Sequence, residues 1–177
     1  MDFIRVTSAD HPDFERAFRL YQEGFPLHEQ RTREKQEALL AHPEYRYYVI
    51  REGMAFAGIL LCWEAGDFIY VEHFAIAPEL RGRNLGTRAL ELLGGRDRAI
   101  VLEIDPPEDE VSRRRRHFYE RAGFFSNPWP HVHPPYRSGH AGHPLVVMTS
   151  PEAWGRDRLD GFARYLRDTV MADCGQC

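Results

Sequence analysis

Between Phe68 and Leu93 the chain reads FIYVEHFAIAPELRGRNLGTRALELL. An apolar run rich in β-branched and aromatic residues stops at Pro78, and after Arg81-Gly82-Arg83-Asn84-Leu85-Gly86 the apolar residues return at helical spacing, with Leu85, Ala89, Leu92 and Leu93 on one stripe. A strand that feeds a glycine-containing turn and then a helix satisfies both periodicities. Such a turn presents backbone N–H groups with no intrahelical partner at the positive end of a helix dipole, an arrangement suited to phosphate or pyrophosphate. Gly82 and Gly86 permit close backbone approach, and Arg81 and Arg83 can pair with phosphate oxygens. The loop has neither the Walker Gly-Lys-Ser/Thr ending nor the Rossmann Gly-x-Gly-x-x-Gly.

The rest of the chain extends this α/β pattern. Residues 3–6 read as a first strand, and DFERAFRLYQEGF aligns Phe14, Ala17, Phe18 and Tyr21 on one helical stripe. A more polar helix is expected from about residue 29 to 40, ended by His42-Pro43. YRYYVI, MAFAGILLCW and FIYVEHFAIA then form an antiparallel meander with a buried middle strand. Gly94-Gly95 stops the helix that follows, and AIVLEI is a buried strand expected to lie parallel to VEHFAIA through a crossover. Residues 108–122 read as another helix, followed by a Pro/His-rich loop, the strand PLVVMT and a helix over 151–170.

Composition narrows the function classes. At 177 residues and 43% hydrophobic content, the chain suits one compact domain. A net charge of -4 argues against general attraction to nucleic acid or anionic membrane. No apolar run is long enough to span a membrane, and the charged start of the chain lacks a signal-peptide core, so a cytoplasmic location is expected. Three cysteines make no disulfide framework: Cys62 reads as a core residue, and Cys174 and Cys177 fall on a tail expected to be disordered. The run Arg113 to Arg116 fans around its helix as a solvated face, with Asp109 and Glu110 placed four residues earlier for ion pairs. His131, His133, His140 and His143 match no standard zinc spacing, and no metal is expected.

Two separated segments carry a family resemblance. ELRGRNLGT resembles the acetyl-CoA-binding motif of the GNAT N-acetyltransferases, Arg/Gln-x-x-Gly-x-Gly/Ala, with Arg81 and Gly86 at its first and last positions. Asn84 stands where the middle glycine is usual, a departure that asparagine's tolerance of left-handed backbone makes modest. HFYERAGFF resembles the family's second signature, and Ser112 replaces the asparagine often found seven residues before Tyr119. The fold class implied is an α/β (α+β) one: a mixed, mostly antiparallel sheet with a parallel central strand pair splayed around the acetyl-CoA site, flanked by helices. The resemblance places the GNAT domain over residues 1–150, with 151–177 as a C-terminal helix and tail packed on it.

The resemblance implies that acetyl-CoA is the co-substrate and that an amine of a small molecule, peptide or protein attacks the thioester directly. Arg81, Gly82, Arg83, Asn84, Leu85, Gly86 and Thr87 then hold the diphosphate, while backbone groups of Phe74, Ala75 and Ile76 serve pantetheine and the oxyanion. Tyr119 occupies the position of the acid that protonates the departing thiolate. For the base, Glu72 is preferred because a carboxylate also attracts a cationic acceptor; His73 is the substitute and Glu103 a third candidate. Glu72 and His73 point to opposite faces by simple alternation, unless a bulge intervenes. Tyr136 lies in the segment that would line the acceptor pocket. A homodimer is compatible with the family, and an acyl-CoA sensor without turnover is the alternative function.

Overall fold

The computed structural model describes residues 1–95, 97–137 and 139–174. They fall into two compact units, Met1–Arg98 and Ala99–Cys177. The architecture is mixed α/β, mostly antiparallel, with flanking helices.

In the first unit, β1 (Asp2–Val6), β2 (Tyr45–Glu52), β3 (Ala55–Glu64) and β4 (Phe68–Ile76) form an antiparallel meander in chain order. β3 is buried without interruption from Phe56 to Trp63, as an unbroken apolar run in a middle strand requires. Helix α1 (Phe14–Gly24) turns Phe14, Ala17, Phe18, Leu20 and Tyr21 inward. Phe14, Phe18, Tyr21 and Phe25 follow one another at ring separations of 5.8–5.9 Å, and each buried ring contributes on the order of 2 kcal/mol.

The polar helix expected over 29–40 divides. A 3-10 turn, Leu27–Glu29, comes first, and α2 (Arg33–Leu39) begins only after Thr32, whose side chain caps it by accepting from the Lys35 amide. Gln30 is extended between them and donates to the carbonyls of Gln22 and Phe25, which fastens residues 30–32 to the end of α1. After β4, α3 (Leu85–Gly94) buries Leu85, Ala89, Leu90 and Leu93.

In the second unit, β8 (His143–Ser150) pairs antiparallel with β5 (Ala99–Ile104), β6 (Phe125–Ser126) and β7 (His131–His133). Strand β7 corrects the expectation that residues 131–143 are loop throughout: His131, Val132 and His133 register against Leu145, Pro144 and His143. Helix α4 (Glu110–Arg121) opens with a capping box in which the Ser112 amide donates to Asp109 and the Asp109 amide donates to the Ser112 hydroxyl. Ser112 thus anchors the helix start. The arginine run is engaged locally: Arg113 with the Glu108 carbonyl, Arg114 with Glu110, Arg115 with Asp105 and Arg116 with Glu120.

The last helix, α5 (Arg156–Tyr165), starts later than residue 151 and continues as a π-helical turn over Leu166–Val170. Asn127 and Thr149 explain the delay. The Asn127 side chain accepts the Trp154 amide at 2.7 Å, and the Thr149 hydroxyl donates to the Glu152 carbonyl at 2.7 Å, so these backbone groups find partners outside a helix. Cys62 is buried in β3 as expected; Cys174 is also buried, against the expectation of a disordered tail, and Cys177 lies outside the described residues.

One close approach in the first unit bears on function. A Cβ built on Gly58 would lie 2.3 Å from the Ala75 carbonyl oxygen, so glycine alone lets β3 and the end of β4 meet at this register. Gly58→Ala should cost about 1–3 kcal/mol through forced backbone displacement. A thermal melt compared with that of Gly66→Ala, where a Cβ meets nothing within 4 Å, checks it.

Candidate active site

The cradle is built from backbone. Beyond β4 the chain makes a 3-10 turn, Pro78–Leu80, runs extended through Arg81, adopts φ 76° at Gly82 and enters α3 from Asn84 at φ 59°, ψ 12°. Asn84 therefore holds the left-handed conformation for which the usual glycine would be chosen. The Arg81 guanidinium donates back to the Ile76 carbonyl at 3.2 Å, bracing the turn against the end of β4. Residues 81–84 are exposed, no side chain caps α3, and its first turn carries no acidic residue. The Arg88 amide reaches the Asn84 carbonyl at 3.2 Å as the helix's opening bond. The N–H groups of Leu85, Gly86 and Thr87 precede that bond and have no intrahelical acceptor. At position 86 glycine adds no side chain to this first turn.

Upstream, β4 does not alternate simply. His73 pairs with Leu61 and Val71 with Cys62, so Glu72 is an extra residue, a β-bulge. Its carboxylate is bound by the Arg31 guanidinium and by the Trp63 indole N–H at 2.9 Å, and both charged side chains of the ion pair have 0% exposure. Burial pushes the Glu72 carboxyl upward, but the charges of Arg31 and His73 and the hydrogen bonds from Arg31 and Trp63 outweigh it and hold the carboxyl below its ordinary value of 4.5. A carboxylate held in this way binds a proton weakly. The residue as a whole is only half-buried, so what Glu72 exposes is main chain.

His73 is buried, with its ring edge-on to Tyr21 at 4.9 Å and Phe25 at 4.6 Å, and its Nε2 donates to the Glu29 carbonyl at 2.9 Å. Phe74, Ala75 and Ile76 follow, partly exposed, paired with Leu60, Ile59 and Gly58.

The second unit gathers a different set. Glu103 on β5 meets His131 Nε2 through one carboxylate oxygen, and its other oxygen lies 3.7 Å from His133 Nε2. The carboxylate is 4% exposed and the two imidazoles 10% and 1%. His133 Nδ1 donates to the Pro134 carbonyl, and its ring stacks on Tyr136 at 4.8 Å and 17°. Gly142 lets β8 approach this cluster: a Cβ there would lie 2.6 Å from the His133 carbonyl oxygen. Glu103 and Tyr136, separate in the sequence reading, are thus joined through His133. Tyr119 on α4 is buried against Phe118 and Phe124, and burial pushes its phenol up to about 12. Among the described residues, no group of three or more His, Cys, Asp and Glu side chains could hold a metal ion.

Sequence reasoning missed Arg31, Trp63 and Gly58, and it weighed His131 and His133 as part of a loop, against zinc, without pairing them with Glu103. Arg31 sits among Arg33, Lys35 and several carboxylates, with nothing local to mark it as the one that is buried.

An exposed turn thus delivers backbone amides and arginines at a helix start that follows a bulged strand. Residues 12–124 match the model of the acetyltransferase (GNAT) family. The chain belongs to that family. A relative from Bacillus subtilis (strain 168), named "Putative acetyltransferase YjbC", is 31% identical over 104 residues, 58% of this chain and 53% of its own length, so the match spans about half of that protein. A solved structure described as a "Putative acetyltransferase from GNAT family" from Bacteroides thetaiotaomicron is 30% identical with TM-score 0.90, covering 96% of this chain and 98% of that one. The Escherichia coli ribosomal-protein-S18-alanine N-acetyltransferase, at 17% identity and TM-score 0.59 over 87% of this chain and 95% of its own, shares the fold. Enzymes of this family are acetyltransferases that use acetyl-CoA as co-substrate and act on amine acceptors. Among the described residues, no helix is long and apolar enough to cross a membrane.

Asn84 is the cradle's test position. Asn84→Gly should keep acetyl-CoA affinity within about threefold, whereas Asn84→Val should weaken it about tenfold, because a β-branched residue costs roughly 1–2 kcal/mol in left-handed backbone. Calorimetric titration with acetyl-CoA measures both.

Proposed function

We propose that the chain is an N-acetyltransferase in which the amine of a small molecule, peptide or protein attacks the thioester of acetyl-CoA directly. The observation that carries this reading is the open start of α3 behind left-handed Asn84, where uncapped amides and no acidic side chain favour a diphosphate. Arg81 and Arg83 add charge to that end, and Gly82 and Gly86 let the phosphates approach the backbone. An N–H among Phe74, Ala75 and Ile76 stabilises the tetrahedral oxyanion, and neighbouring main-chain groups hold pantetheine. Collapse of the intermediate expels CoA thiolate, which Tyr119 protonates. A phenol raised to about 12 remains protonated throughout the working range, so Tyr119 carries the proton that the thiolate takes up.

The acceptor's ammonium must first lose a proton. Glu72, preferred in the sequence, is committed to Arg31 and Trp63, and His73 is committed through Nε2 to the Glu29 carbonyl. Our reading therefore gives proton removal to Glu103 with His131 and His133, where a carboxylate faces two imidazoles able to pass a proton on. Tyr136, stacked on His133, shapes the acceptor side. The chemistry is assigned to residues 1–150; the cytoplasm is the proposed location.

Thiol release from acetyl-CoA across a panel of polyamines, aminoglycosides and N-terminal peptides tests the reading. Turnover with at least one amine is expected. Acetyl-CoA binding without turnover on any of them would instead make the chain a sensor. With an active acceptor, Tyr119→Phe should lower kcat by about 10²–10³ and leave acetyl-CoA affinity within twofold. Glu103→Gln should lower kcat by about 10² and leave acetyl-CoA affinity within about twofold.

A further inference from the structure

Two neighbouring residues of β4 reach the same short segment. In a regular strand, consecutive side chains leave opposite faces. Here Glu72 binds the side chain of Arg31 while His73, the next residue, binds the carbonyl of Glu29, two positions before Arg31. The bulge makes this convergence possible, since the extra residue at 72 breaks the alternation. The segment is itself well held. The Arg31 amide donates to the Tyr21 hydroxyl at 2.8 Å, Gln30 bonds the carbonyls that end α1, and Tyr21 packs edge-on against the His73 ring. Arg31, Trp63 and Glu72 share no exposed surface at their polar ends: the first and last have fully buried side chains, and Trp63 is 0% exposed.

We infer that Arg31 and Glu72 are a positioning pair that sets the β4 bulge, and with it the main-chain groups of residues 72–76 offered to the acyl donor. This rests on the acetyltransferase reading. The side chain of Glu72 is drawn entirely into the core while its main chain remains accessible, so its contact with solvent and ligand is through backbone. Arg31 supplies the anchor. The pair also links the segment between α1 and α2 to the strand that follows the donor's acyl arm, so a displacement of residues 29–31 is passed to residues 72–76.

The experiment is a double-mutant cycle with Arg31→Met, Glu72→Met and the pair together, reading hydrogen exchange over residues 70–77 and acetyl-CoA affinity by calorimetry well below each variant's Tm. Each single change leaves a buried charge without its partner, whereas the double change leaves two apolar side chains of suitable size. We expect each single variant to exchange faster over 70–77 and to bind acetyl-CoA about tenfold more weakly, and the double variant to recover to within about threefold of wild type. If a single variant does not fold, the double variant and Arg31→Lys carry the comparison, Arg31→Lys keeping the charge but losing the fork geometry.

Single variants that lose only Tm, with exchange over 70–77 and donor affinity unchanged in the folded protein, would overturn the inference. So would a double variant that stays as far from wild type in exchange and acetyl-CoA affinity as the single variants do, because the two side chains would then act without coupling. Failure of the underlying reading looks different: wild type would bind no acetyl-CoA, while the exchange data would still report whether the pair sets the bulge.

Discussion

A guanidinium and a carboxylate with no exposed side-chain surface face each other in the first unit, and much of the site's geometry follows from that fact. Taking two ions out of water costs several kcal/mol each, a penalty recovered only where geometry is good and remaining hydrogen-bonding capacity is used. Trp63 supplies the additional donor on the carboxylate side. The ion pair ties residue 31 to the bulge at Glu72, and the bonds of Gln30, Tyr21 and His73 hold the same segment around it. A bulge without such a tether could migrate along the strand, and each residue it passed would change face.

The two units solve the problem of buried charge in different ways. In the first, opposite charges of fixed sign neutralise each other, since arginine does not give up its proton at any accessible pH. In the second, Glu103 is matched with His131 and His133, whose charge depends on a proton that can leave. Fixed neutralisation suits scaffolding; conditional neutralisation suits proton traffic. Arg113 to Arg116 on α4 follow a third pattern, each satisfied near the surface by a partner within its own helix or the segment before it.

Features governed by local rules were readable from the sequence. The strand-to-helix transition around Asn84 was legible because period, glycine placement and asparagine's left-handed tolerance all act within a few residues. The stripe of α1 and the buried middle strand β3 were legible for the same reason. Features set by distant partners were not. The burial of Arg31 depends on Glu72, 41 residues later, so nothing in its neighbourhood distinguishes it from Arg33. Alternation failed at Glu72 and His73 because a bulge is a property of two strands together. The prolines and glycines of 131–143 hid β7, whose pairing with β8 is what brings His131 and His133 to Glu103. Helix boundaries moved where a side chain outside the helix claimed a backbone group, at Thr32 and at Asn127.

Asn84 also has a meaning for the loop before any coenzyme arrives. A glycine at this position would carry wide conformational freedom in the unfolded chain and in an empty turn, and that freedom would have to be surrendered when phosphates settle onto the amides. An asparagine already seated at φ 59° has far less to surrender. In the site we propose, that ordering would be completed once, when the protein folds.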